Sequence, residues 1–418
     1  MNKSKKIAFI GVIGLILCAC DAGSEDMIGE NFTLGIFGNA NMDNTIDEND
    51  VVYIKEIING TNAPTNLSDA NYDGKVDDED IDQIERIIHG DEKALTIIDS
   101  SNKVLTIKKP VKRIVSRPQG CEAIGILKSK DKVVGVEDLV NERNVFFPEL
   151  SKLPSVGSMS NPDYESIIKL HPDIVLWTCS FVPEMDSKLE DANITIVRLD
   201  LYRPAKLIEE IKLLGYILDA EVEANEFIDW YNGYMDLIRQ RTERLPREER
   251  PRVYFEMFRD HMTITKGYGP DIMISIAGGE NLGSVVGKPD SSITIENEWV
   301  VNQNPDVIIK AVSSIPCGYS VDNLTDMKNA RDSILKRDGS SAISAIVNDR
   351  VYLLPWGELV VTPRSVVGTA YFAKWLHPDL FEDIDPEAIH QEYLTRFQGL
   401  NYRLSDHGAF VYPPLEGH

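Results

Sequence analysis

The sequence predicts an α/β body of two lobes joined by one long spanning helix, with a small α domain in front. Three observations carry that reading. An acidic loop-plus-helix unit occurs twice within 36–92, a Glu…Pro-Asp unit occurs once in each half of the body, and an amphipathic stretch lies between those halves. The 418 residues exceed what one core usually organises. A composition of 43% hydrophobic and 26% charged residues is that of a soluble globular protein. The net charge of −24 argues against nucleic acid as a partner, because phosphate binding needs a basic surface.

Taken in order, the chain opens with Lys3, Lys5 and Lys6, then an apolar run from Ile7 to Ala19 that is short for a membrane span. This has the shape of a signal peptide over 1–20. "LCAC" at its end resembles a lipobox, which implies lipid modification of Cys20 after cleavage; Cys18 fits less well because Leu17 precedes it. The expected location is extracytoplasmic, at a membrane through a lipid anchor. Residues 21–35 read as a linker. Three cysteines remain, Cys121, Cys179 and Cys317, and an odd number implies no disulfide framework.

The segment 36–92 holds 15 acidic against 3 basic residues, which points to a cation site. Its two copies are "NANMDNTIDENDVVYIKEIING" and "DANYDGKVDDEDIDQIERIIHG". Loop positions 1, 3, 5, 9 and 12 carry Asn39, Asn41, Asp43, Asp47 and Asp50, then Asp69, Asn71, Asp73, Asp77 and Asp80. Position 7 contributes a backbone carbonyl, from Thr45 and Lys75. Position 6 must turn sharply, which Gly74 does freely and Asn44 tolerates. All-oxygen ligation selects a hard cation, so two Ca²⁺ sites are expected, the second stronger because Asn39 is neutral. The helices that follow offer Val51, Ile54, Ile57 and Ile58, then Ile81, Ile84, Ile87 and Ile88, as core faces. Duplicated loop–helix units of this kind resemble the dockerin domain, with its EF-hand-type loop. That resemblance implies calcium-dependent folding and a cohesin partner, recognised through Glu48, Asn49, Asp78 and Glu79. A structural calcium module is the alternative.

A hairpin opens the body, and strand signals then alternate with helical stretches, as in parallel sheets covered by helices. "ESIIKLHPDIVLW" (165–177) lines up with "EWVVNQNPDVIIK" (298–310). In each, a glutamate opens a short helix, Pro172 or Pro305 ends it, and Asp173 or Asp306 leads into a strand. Between them, Phe227, Ile228, Tyr231, Tyr234, Met235 and Ile238 share one helical face, giving a rod of roughly 39 Å over about 26 residues. The expected boundaries are lobe one at 94–218, the spanning helix at 219–246, lobe two at 247–395 and a C-terminal tail at 396–418.

"VKRIVSRPQGCEAIGIL", "LPSVGSMSNPDYESIIKLHPDIVL", "AGGENLG" and "ENEWVVNQNPDVII" together resemble the helix-backbone periplasmic binding proteins of ABC importers for iron siderophores, haem, cobalamin and molybdate or tungstate. The resemblance implies two Rossmann-like lobes around one ligand cleft, a permease and its ATPase as partners, and docking through Glu165 and Glu298. It implies capture of an iron chelate or related metal compound without chemistry. Cobalamin, molybdate or tungstate, and a cohesin-docked scaffold role, are the alternatives. Loops after strands supply the cleft candidates Arg117, Trp177, Tyr202, His261, Tyr268, Trp356 and Arg364, with Gln119 beside Arg117. Arginine suits carboxylate or oxyanion groups and aromatics cover flat apolar surface, although Trp177 reads equally as core and Arg364 as a structural ion pair. No Ser-His-Asp order, zinc spacing or phosphate loop stands out, so an enzyme is not expected.

Overall fold

A computed structural model of the protein describes residues 32–179, 182 and 184–415; the signal segment and Cys20 lie outside them. The first loop leads into the helix Glu48–Ile58 and the second into Asp78–His89. Asp47 and Asp77 cap these helices, and Asp50 and Asp80 return the bond to the cap backbone, so both starts are capping boxes. The left-handed residue shared by the loops is position 4, Met42 at φ 60° and Tyr72 at φ 58°. Gly74 turns at φ 92°, whereas Asn44 stays out of that region, so the glycine requirement holds only in the second loop. Val51, Ile54, Ile84 and Ile87 are buried as expected, but Ile58 in the last helical turn is exposed.

This unit is fused to lobe one. Leu34 and Ile36 are buried, so structure begins inside the segment read as linker. Ile36 bridges Ile97 on β1 (Ala94–Ile98), which pairs antiparallel with β2 (Val104–Lys108). The Tyr216 hydroxyl accepts from the Ile46 amide at 3.1 Å. Buried Lys109 donates to the Tyr216 and Ile217 carbonyls and pairs with Glu92 and Asp219, at 3.3 and 2.5 Å. One continuous apolar core runs from Ile46 and Ile54 into the lobe.

Lobe one holds a parallel sheet in the order β4-β3-β7-β8, from β3 (Ile114–Ser116), β4 (Val133–Val136), β7 (Ile174–Trp177) and β8 (Thr195–Arg198). The short hairpin β5 (Gly157–Ser158) and β6 (Asn161–Pro162) stands beside it. Lobe two has the order β12-β10-β9-β13-β14, with β9 (Arg252–Glu256), β10 (Met262–Ile264), β12 (Ser292–Thr294), β13 (Val307–Val312) and β14 (Val351–Pro355). β11 (Glu280–Asn281) pairs parallel with β9, while β10 runs antiparallel to β9 and β12. Every residue of β3, β7 and β13 is buried, as strands covered on both faces require.

The Pro-Asp motif has the same physical job in both lobes. Asp173 accepts from the Lys112 and Arg113 amides, and Asp306 from the Arg252 amide, so each aspartate pins the start of the neighbouring strand. The spanning helix is Glu221–Thr242, whose 22 residues give a rod of about 33 Å, shorter than the sequence suggests. Phe227, Tyr231, Met235 and Ile238 are its buried face. The C-terminal segment is part of lobe two rather than a tail: Leu353 and Tyr412 exchange backbone hydrogen bonds at 2.7 and 3.0 Å, and Ala409 bridges Gly318.

Candidate ligand cleft between the lobes

The loops that follow the strands of both lobes meet across a cleft. Gln119 donates to the Val361 carbonyl at 3.2 Å. On one flank Arg203, anchored by Asp200, reaches Asp290 at 2.6 Å. On the other, Arg143 meets Glu358 at 3.4 Å and the Gly357 carbonyl at 3.4 Å. A Cβ at position 357 would lie 2.4 Å from the Arg143 guanidinium, so a side chain there would push the end of this flexible arginine aside.

Arg117 holds the N-cap position of the helix Pro118–Ile126 at the end of β3, without a capping side-chain bond, and is only 8% exposed. It forms no ion pair among the described residues; its Nη2 donates weakly to the Met159 sulfur at 3.3 Å and its Nε has no partner. Burial lowers its affinity for the proton, opposed by nearby Glu137 and Tyr202. Glu137 offsets part of the cost of that burial without reaching ion-pair contact, and an anionic ligand group would relieve more of it. Tyr202 stands on the same side, and burial pushes its hydroxyl up to about 12. Across the cleft, the Tyr268 and Trp356 rings lie nearly parallel at 6.4 Å and 17°, and Phe258 packs edge-on to Trp356 at 5.7 Å. Tyr202 lies within electrostatic reach of both Arg117 and Tyr268, which brings the lobe-one cation and the lobe-two aromatic pair to the same part of the lobe interface.

Three candidates fall elsewhere. Trp177 is 0% exposed and packs in the lobe-one core with Val115, Val156 and Ile167; it is not a cleft residue. His261 occupies a turn with φ 57°, held by its amide on Glu256, and no hydrogen bond or ring contact joins it to Tyr268 or Trp356 among the described residues. Arg364 is 1% exposed and pairs with buried Glu122 of lobe one, under the Phe146 ring at 4.4 Å. Burial alone would weaken its proton affinity, but Glu122 raises it overall. Thr362 and Tyr393 also donate to Glu122, which makes this a cross-lobe structural network.

Arg364 does border a cavity of about 120 Å³ lined by Arg143 and Phe146 of lobe one and Cys317, Tyr319 and Glu358 of lobe two. Burial, with Glu358 adding, pushes the Cys317 thiol up to about 12, so it remains protonated. Cys121, Cys179 and Cys317 are all free. Sequence reasoning missed Arg143, Glu358, Arg203 and Asp290, because each pairs across more than eighty residues of chain.

Glu165 is exposed in the first turn of Tyr164–Lys169 and Glu298 in that of Asn297–Gln303. In the N-terminal loops, Asp69 accepts from the Asp73 and Gly74 amides, Asp73 from Lys75, and buried Asp80 from Asn71 and Asp77. Loop one repeats this pattern through Asp43 and Asp50. Burial pushes Asp50 up to about 6, with Asp43 and Asp47 contributing. No three His, Cys, Asp or Glu side chains converge as a metal cluster among the described residues; the loop carboxylates accept amide hydrogen bonds within each loop instead. Each oxygen bound to one amide keeps a second lone pair, and this all-oxygen donor set fits a hard cation.

Two α/β lobes on one bracing helix, closing on a cleft with a buried cation and an aromatic wall, form a binding protein rather than an enzyme. The family model for "Periplasmic binding protein" matches residues 121–356, more than half of the chain. The chain belongs to that family. It is 28% identical over 298 residues to the ABC transporter substrate-binding lipoprotein YvrC of Bacillus subtilis, covering 69% of this chain and 87% of that protein. It is 23% identical to the molybdate-binding protein MolA of Haemophilus influenzae, over 75% of this chain and 90% of MolA. The fold matches the crystal structure of the TroA-like periplasmic binding protein FepB from Veillonella parvula, with TM-score 0.63 and 23% identity, covering 76% of this chain and 98% of that one. The protein is an extracytoplasmic substrate-binding protein of an ABC importer. No described helix is long and apolar enough to cross a membrane.

Proposed function

We propose that this protein captures an iron complex of the siderophore or haem type, or a related metal compound, and delivers it to a membrane permease and its ATPase. The observation that carries the reading is buried Arg117 without an ion pair in lobe one, with the Tyr268–Trp356 pair on lobe two. An anionic chelate with a flat apolar face satisfies both, through a charge-assisted hydrogen bond on one side and ring contact on the other. Relatives named for molybdate and cobalamin support those cargoes as alternatives. Relatives named for haem uptake support the main reading. Glu165 and Glu298 are the proposed docking contacts for arginine-lined permease pockets.

The N-terminal unit holds calcium in this reading, through Asn39, Asn41, Asp43, Thr45, Asp47 and Asp50 and through Asp69, Asn71, Asp73, Lys75, Asp77 and Asp80. Calcium would supply charge neutralisation for the carboxylates of each loop. Exposed Glu48, Asn49, Asp78 and Glu79 stand at equivalent places on both units, which favours a dockerin-like surface and a cohesin-type partner as a second role. Cys20 is the proposed lipid attachment.

Trp356 lies in the cleft, so cargo should quench its fluorescence. Titration with ferric siderophores, haem, cobalamin, molybdate and tungstate tests the reading. One ferric chelate or haem should bind below roughly 10 μM. Tight binding of molybdate alone would move the assignment to the alternative, and no binding at all would remove it.

A further inference from the structure

Each docking helix is the continuation of a short β-turn segment whose other end sits in the cleft. In lobe one, the hairpin β5–β6 carries Met159 at its tip. Met159 accepts from Arg117 through its sulfur and donates its amide to Glu137. Six residues later comes Glu165, at most about 20 Å along extended chain. The path between them is tied down, because the Asp163 amide bonds the Val156 carbonyl and the Asp163 side chain caps the docking helix. A Cβ at Gly157 would lie 2.7 Å from the Asn161 carbonyl, and its φ is 82°, so this hairpin is closely packed upon itself.

Lobe two repeats the arrangement. Asp290 sits at the turn before β12, which runs into the docking helix that bears Glu298. Asp290 meets Arg203 of lobe one at 2.6 Å. Its amide bonds the Lys266 carbonyl at 2.7 Å, and the Thr265 hydroxyl bonds the Lys288 carbonyl at 2.6 Å. Residues 265 and 266 are therefore hydrogen-bonded to this turn, two residues before Tyr268. Both docking helices are thus one short, hydrogen-bonded segment away from a cleft contact.

We infer that the two segments are release levers: displacement of the docking helices by the permease withdraws Met159 from Arg117 and Asp290 from Arg203. The Arg203–Asp290 pair is the latch of the second lever. Its two side chains are partly exposed, so the pair is weak enough to open and close. This inference rests on the reading of Glu165 and Glu298 as docking residues.

Amide hydrogen exchange separates the two claims. The full-length protein is compared alone and with its permease–ATPase in nanodiscs. Docking should protect 164–169 and 297–303 while exchange in 157–162 and 286–294 rises several-fold. Protection of the helices with unchanged exchange at both turns would overturn the levers and leave docking intact. No protection of either helix would overturn docking and the levers together. Without permease, Asp290→Asn should raise exchange in 286–294 and leave 297–303 unchanged. An unaltered 286–294 in that variant would show that Asp290 is no latch.

Discussion

Arg117 is the residue on which affinity and stability pull in opposite directions. With Glu137 nearby but no carboxylate in ion-pair contact, the buried guanidinium is costly in the free protein, and under the proposed function an anionic cargo relieves that cost. Arg117→Met should therefore keep or raise the melting temperature while weakening cargo binding roughly tenfold or more, the scale of one charged hydrogen bond. Thermal melts and fluorescence titrations on the same samples check it; a lower melting temperature with unchanged affinity would contradict it. At this scale the sequence was partly legible. Arg117 and Trp356 directly follow β3 and β14, as the strand pattern in the sequence predicts. Trp177 does not, since a strand buried on both faces shows no alternation to separate its last core residue from the first cleft residue. Arg364 resolved to the structural alternative because its partner, Glu122, lies in the other lobe.

At the scale of elements, the loop 200–203 depends on Glu210. This fully buried carboxyl accepts from the Ser100 hydroxyl and the Asp200 and Leu201 amides. Burial raises it to about 7, against those hydrogen bonds. A carboxyl raised above its unfolded value binds more protons in the folded state, so its contribution to stability is full below about 4.5 and is lost as pH rises to about 7. The melting temperature of the wild type relative to Glu210→Gln should accordingly fall across that window and level off above it. A difference independent of pH would refute this. The N-terminal unit makes a second prediction. Because Tyr216 and Lys109 tie it to lobe one, chelation of calcium should lower the melting of that lobe along with the loops, and no shift on chelation would count against bound calcium. The repeats and both Pro-Asp units were legible because spacing and periodicity are local. Fusion of the small domain to the lobe was not, as it rests on contacts between residues such as Ile46 and Tyr216, far apart in the chain. The two-residue strands β5 and β6 are too short for any periodic signal.

The whole molecule acts as a carrier: two lobes on a 22-residue helix, a cleft between them, and on each lobe one exposed glutamate, the proposed docking contact. The two-lobe plan was legible because the Glu…Pro-Asp unit occurs once per half, and each copy pins a strand start in the same way. Cleft closure was not, because Arg203–Asp290 and Arg143–Glu358 join lobes rather than neighbours. The most direct test pairs uptake with binding in a Glu165→Ala, Glu298→Ala double variant. Both residues are exposed and neither contacts Arg117, so cargo affinity should match the wild type while uptake into permease-containing proteoliposomes is abolished. Wild-type uptake by that variant, or loss of its cargo binding, would contradict the account.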